Sequence, residues 1–233
     1  RIVARSFLPL GVKPADRDHA TAIASILIGR PARQGVTGLL PGARLYSAGI
    51  FRQRAADTID TTAELIIAAL DWLQGQQVDV INLSLTGRPN RLLQQVIRQL
   101  VQQNQLLAAA AGNGGPDAPP AYPAAWPGVV AVTAVDIQGQ IYRQANRGDY
   151  IDLAAPGVDV WAARPGSEGA YHSGTSFAVP YATAALAVLR QRAGNPDASR
   201  LRQQLQQQAR ELGAPGPDPV YGHGLLQLPG GCG

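Results

Sequence analysis

Three short stretches of this sequence carry residue types able to perform acyl transfer. Ser173-Gly174-Thr175-Ser176-Phe177-Ala178-Val179-Pro180 runs into small and apolar residues, which places a hydroxyl at the first turn of a buried helix. Pro180 suits a first turn, where an N–H has no helical partner. Asp18-His19-Ala20-Thr21 sets an imidazole at the start of another helix. Ala111-Gly112-Asn113-Gly114-Gly115 sets a carboxamide on a glycine-rich turn after an apolar run. Each has a plainer reading by itself, since a lone His is commonly structural and Asn and Gly are favoured in turns for backbone reasons. Together they supply a nucleophile in Ser176, a general base in His19 and an oxyanion donor in the Asn113 amide. The helix N-terminus under Ser176 adds partial positive charge.

Such groups must be held by regular elements, and the chain alternates strand-like with helix-like segments. That pattern predicts an α/β fold, a mostly parallel central sheet with helices on both faces. Extended runs are expected at Ile2–Phe7, Arg44–Phe51, Val78–Leu85, Leu106–Ala111 and Val129–Val135. Helices are expected at Thr21–Ile28, at Thr61–Leu73 with a capping box of Thr61 and Glu64, and at Ser199–Leu212. Another should start near Leu92, with Leu92, Leu93, Val96, Ile97, Leu100 and Val101 on one face, and another after Ser176, apolar nearly all round. In open parallel sheets reactive groups gather past the carboxyl ends of strands, which is where these three stretches fall. No repeat or composition break divides residues 1–233, so a single domain is expected.

Composition narrows the function further. Of 233 residues 45% are hydrophobic and 15% charged, ample for a core and unlike a disordered chain. No run approaches the roughly 18 apolar residues of a membrane helix, and no secretory leader is recognisable, so no membrane partner is expected. The formal charge is +4, but the twenty basic residues, all Arg except Lys13, are scattered without a basic stripe. No nucleic-acid partner is therefore expected. Cys232 is the only cysteine, which excludes an internal disulfide and predicts an exposed terminal thiol. A chain that opens on Arg1 and holds no Met is expected to be processed or part of something longer.

Taken in order, the motifs resemble those of a subtilisin-like serine peptidase catalytic domain. His19-Ala20-Thr21 is similar to that family's His-Gly-Thr, Ala111-Gly112-Asn113 to its Asn loop, and Gly174-Thr175-Ser176-Phe177-Ala178-Val179-Pro180 to its Gly-Thr-Ser-x-Ala-x-Pro. Val80-Ile81-Asn82-Leu83-Ser84-Leu85 resembles the family's substrate-pairing strand, and Tyr122-Pro123 through Val132 a wall of its specificity pocket. Ala155-Pro156-Gly157 and Tyr221-Gly222-His223-Gly224 resemble motifs nearer its C-terminus. The Gly-Asp-Ser-Gly of chymotrypsin-like enzymes is absent, and Ala178 breaks the Gly-x-Ser-x-Gly of α/β-hydrolases.

The resemblance implies a serine endopeptidase acting through an acyl-enzyme on Ser176, with His19 as base and Asn113 in the oxyanion hole. It implies that Ser84, Leu85 and Thr86 pair with a polypeptide substrate, and that Ala110, Ala111, Gly112 and Ala121 line an uncharged side-chain pocket, with Asp117 close by in sequence. Thr86 stands where the family more often has Gly, which narrows the pocket mouth. It also implies a cis bond at Tyr122-Pro123 and a secreted or periplasmic location.

Departures from the family are equally specific. Ala20 replaces the Gly after the His. The segment Gly29-Arg30-Pro31-Ala32-Arg33-Gln34-Gly35 falls where many relatives bind calcium, yet it offers two cations and a Pro against an ion that needs about six to eight oxygens. No metal and no cofactor are expected. The largest departure is that no Asp-Ser/Thr-Gly follows an apolar strand anywhere in residues 1–233. Asp16 and Asp18 sit on the same loop as His19, poorly placed to reach its far nitrogen, and His172 is a rival base four residues before Ser176. Two expectations follow: a peptidase whose acid lies upstream of Arg1, on a cleaved N-terminal fragment or behind a propeptide, or an impaired pseudo-peptidase that keeps the cleft for peptide binding.

Overall fold

The computed structural model describes residues 2–30, 37–55, 58–194 and 196–228. In chain order the elements are β1 (Ile2–Ser6), α1 (Asp18–Ile28), β2 (Leu45–Gly49), β3 (Arg52–Ala55), β4 (Thr58–Asp60), α2 (Ala63–Gly75), β5 (Val80–Leu83) and α3 (Arg91–Gln102). They continue as β6 (Leu106–Ala110), β7 (Val130–Val135), β8 (Leu153–Pro156), β9 (Val160–Ala162), β10 (Ala170–His172), α4 (Thr175–Arg192) and α5 (Ala198–Gln208).

β5, β6, β7 and β8 form a parallel sheet in that spatial order. Side chains alternate faces along a strand, and the packing follows that period. Leu106, Ala108 and Ala110 of β6 with Val130, Val132 and Ala134 of β7 meet Val179, Leu186 and Leu189 of α4 and Leu201 and Leu205 of α5. Leu107, Ala109 and Ala131 face the other way, toward Leu70 of α2 and Ile97 and Leu100 of α3. Helices therefore cover both faces, as an α/β fold requires, and β6 and β7 at the centre are buried along their whole length. Leu70, Ile97, Leu153 and Leu186 are all under 2% exposed, each worth roughly 1.5–3 kcal/mol of burial.

β1 and β2 form a separate parallel pair. Among the described residues β2 and β5 are each the last strand of their sheet, yet Ala48 of β2, Ile50 just after it and Ile81 and Leu83 of β5 share one apolar cluster.

Several local expectations are corrected. The α2 cap is Thr62, whose Oγ1 accepts from Leu65 N–H, whereas the Thr61 hydroxyl donates to the Ile50 carbonyl at 2.8 Å. Glu64 falls in the first turn and bonds to Thr62, which holds its carboxyl below the usual carboxylate range. Leu92 does not join the buried face of α3; it is 61% exposed, while Leu93, Ile97 and Leu100 are buried. The run expected over Arg44–Phe51 ends at Gly49, and α1 begins at Asp18, three residues ahead of its expected start. α5 stops at Gln208, well before Leu212. The hairpins β3–β4 and β9–β10 and the short β8 were not expected.

Candidate active site

α4 starts at Thr175, so Ser176 is the second residue of a helix buried against β5 to β8. Gly174 caps it at φ +146, where a side chain would be strained, and a Cβ there would sit 3.2 Å from Asn113 Nδ2. Pro180 is not in the first turn as expected; it is the sixth helical residue. Its missing N–H therefore leaves the Ser176 carbonyl without a helical donor. The Ser84 hydroxyl fills that vacancy, donating to Ser176 O at 2.8 Å, and the Ser176 hydroxyl in turn donates to Ser84 O at 3.3 Å. Ser84 follows β5 directly and is oriented by Asn82 Nδ2, which donates to its hydroxyl at 2.8 Å. Asn82 is itself held by the Thr183 hydroxyl of α4 at 3.1 Å.

Asn113 leaves the carboxyl end of β6 and stays exposed. Its Oδ1 accepts from both the N–H and the hydroxyl of Thr175, each at 3.0 Å. That hydroxyl also accepts from Gly112 N–H at 3.2 Å. With its oxygen committed, the Asn113 amide is left with its NH2 as donor, close to Gly174 two residues before Ser176.

His19 is the second residue of α1, and α1 packs on α4 through Ala22, Ile26 and Phe177. The imidazole meets the Phe177 ring edge-on at 5.1 Å, and the same ring carries His172 at 4.9 Å. Crowding by protein lowers the His19 pKa below the ordinary imidazole value, with His172 adding to the drop. A hydrogen bond to the Ser84 backbone and the charge of Asp16 pull the other way. Solvent still reaches one side of the ring, which limits how far desolvation can push it. Among the described residues no carboxylate hydrogen-bonds to His19. Asp18 is engaged by Arg164 at 3.0 Å, and Asp16 acts only through space.

Ser84, Leu85 and Thr86 continue from β5, while Ala110 ends β6, its parallel neighbour, and Ala111 and Gly112 follow it. The two segments lie side by side, and Gly87 and Tyr122 exchange backbone hydrogen bonds at 2.8 and 3.1 Å, bringing in Ala121. Ala110, Ala111, Gly112 and Ala121 are buried, Thr86 is exposed, and Tyr122-Pro123 is cis. Ser84's second role, the Thr175 clamp and the shared Phe177 ring escape sequence reading, because each depends on side-chain direction across elements far apart in sequence. Among the described residues no group of three or more His, Cys, Asp or Glu is placed to hold a metal. The segment expected to lack calcium falls largely on residues 31–36, outside the described residues, as does Cys232.

Residues 11–224 match the subtilase family. The chain belongs to that family. It is 31% identical to the minor extracellular protease Epr of Bacillus subtilis over 91% of its own length and 32% of that protein's, so it spans about a third of that relative. It is also 31% identical to subtilisin Savinase of Lederbergia lenta, covering 95% of this chain and 80% of the relative. A serine-to-alanine mutant of the protease domain of PatA superposes with a TM-score of 0.83 at 29% identity, covering 97% of this chain and 84% of that one. A self-cleaved form of the same domain gives 0.79 at 29% identity over 97% and 85%. The α/β architecture with its parallel sheet is thus a subtilase fold, and subtilases are serine peptidases. No helix among the described residues is long and apolar enough to cross a membrane.

Proposed function

We propose that this protein is a serine endopeptidase. Ser176 Oγ forms a bond to the substrate carbonyl carbon while His19 accepts its proton, and the oxyanion so formed is bonded by Asn113 Nδ2. His19 then returns the proton to the leaving amine, and water hydrolyses the acyl-enzyme by the same route reversed. An extended substrate pairs with Ser84–Thr86 as an added strand and lodges the side chain before the scissile bond among Ala110, Ala111, Gly112 and Ala121. The observation that carries this reading is the gathering of these groups at the start of α4. The Ser176 hydroxyl donates to Ser84 O, Thr175 fixes Asn113, and Phe177, next to Ser176, meets the His19 ring at 5.1 Å.

A complete triad also needs an acid on His19, and among the described residues none is bonded to it. Action outside the cell fits the same reading, given the extracellular Bacillus relative.

A fluorophosphonate that labels the protein at Ser176, together with cleavage of an unfolded protein substrate, both lost in Ser176→Ala, is the expected outcome. Residues 1–233 alone should label slowly, since losing the acid costs about 3 × 10⁴ in turnover, a magnitude established on a subtilisin. Among the described residues no carboxylate is bonded to His19, which favours a second reading, a peptide-binding domain without turnover. That reading requires polypeptide binding with no labelling, even in a longer form of the protein.

A further inference from the structure

Asn146 lies in the loop between β7 and β8, and no motif singles it out. It is 3% exposed, and its carboxamide and backbone N–H are engaged. Oδ1 accepts from Gly114 N–H at 2.7 Å, Nδ2 donates to the Pro119 carbonyl at 3.0 Å, and the backbone N–H donates to the Gly112 carbonyl at 3.0 Å. Asn146 therefore holds the residues on either side of Asn113. It also holds the segment that leads to Ala121. The fit is tight: a Cβ on Gly112 would fall 2.7 Å from Cγ and Nδ2 of Asn146, and Gly112 has φ +112. The loop is thus closed to side chains on the face where the carboxamide lies.

We propose that Asn146 is a positioning residue, setting the Asn113 amide relative to Ser176 and, through Pro119, the shape of the pocket for the side chain before the scissile bond. The inference rests on reading Ser176 as nucleophile and Asn113 as oxyanion donor. Thr175 clamps Asn113 from α4, and Asn146 clamps its neighbours from the opposite side, so neither the amide nor the turn can drift. Without Asn146 the Gly114 N–H and the Pro119 carbonyl lose their partner and must move to find another. Oxyanion stabilisation depends on donors fixed before the charge appears, and a misplacement of about 1 Å can cost about a hundredfold.

The test starts from protein that a fluorophosphonate labels at Ser176. A wild type that is not labelled overturns the peptidase reading and this inference with it. Given labelling, Asn146→Ala should lower kcat per labelled site about 10- to 100-fold with KM within about threefold. In an Asn113→Ala background the same change should cost less than about threefold, because the donor it positions is already gone. Equal losses in both backgrounds mean a general structural role and overturn the proposal. Asn146→Ser takes the place of the alanine variant in this cycle if the latter does not fold. Asn146→Asp keeps an acceptor for Gly114 but loses the donor to Pro119. It should shift the preference between small and large side chains before the scissile bond, and an unchanged preference overturns the role in the pocket.

Discussion

Ser84 and Ser176, 92 residues apart, exchange two hydrogen bonds, hydroxyl to carbonyl in each direction at 2.8 and 3.3 Å. Pro180 makes the exchange possible, because a residue with an N–H at that place would claim the Ser176 carbonyl for the helix. The pair ties the start of α4 to the end of β5. It also gives the Ser176 hydroxyl a resting acceptor from which it must turn toward His19 before it can attack.

Ser84→Ala removes the donor and leaves a half-buried carbonyl without a partner. We expect kcat/KM to fall about tenfold, equivalent to about 1.4 kcal/mol, with KM for a matched peptide changing less than kcat. Steady-state kinetics on a short chromogenic peptide check this, and an unchanged kcat would show that the reciprocal pair plays no part in turnover.

Asn113→Ala removes the proposed oxyanion donor while its anchor Thr175 remains. A drop of about 10²–10³ in kcat with little change in KM is expected, a magnitude established on a subtilisin. A loss confined to KM would place Asn113 in ground-state binding instead.

In residues 1–233, with no carboxylate bonded to His19 among the described residues, the lowered His19 pKa sets the pH dependence. The neutral imidazole is the base, so labelling of Ser176 should rise with pH through a midpoint below about 6.5 and fall as imidazolium forms beneath it. Stability has the same sign. The unfolded chain binds the proton more readily, so this site's contribution is complete above the unfolded pKa and is lost as pH falls through the window below it. Replacing His172 by Gln removes one cause of the lowering and should move the midpoint upward. An NMR titration of His19 in Ser176→Ala, with and without His172→Gln, reads both shifts; a midpoint above 6.5, or one unmoved by the substitution, contradicts them.

Asp152 offers a check on the scaffold. It is 4% exposed; Oδ2 accepts from Ala131 N–H at 2.8 Å, while Oδ1 meets Arg202 at 2.6 Å and Gln206 at 2.8 Å. Asp152→Ala strands a guanidinium that is one-third exposed and should cost about 3 kcal/mol, the lower end for breaking a buried pair. Denaturant unfolding measures it, and a loss under about 1 kcal/mol would mean that water replaces the carboxylate.

The sequence by itself determined the α/β class, the course of the main strands and helices, and the residue types that can transfer an acyl group. Those features are local. Apolar runs such as Leu106–Ala110 can only be buried strands, and Gly-Thr-Ser before a small, apolar helix announces itself. The short hairpins escaped because Arg52–Ala55 and Ala170–His172 are too brief and too exposed to carry a period. Tertiary structure decided where hydroxyls and carboxamides point. It moved the α2 cap from Thr61 to Thr62, took Pro180 out of the first turn and gave its vacancy to Ser84. It also brought Asn146 onto the flanks of Asn113. Such pairings join residues from distant elements through single directional bonds, and a linear pattern of residue types does not record direction.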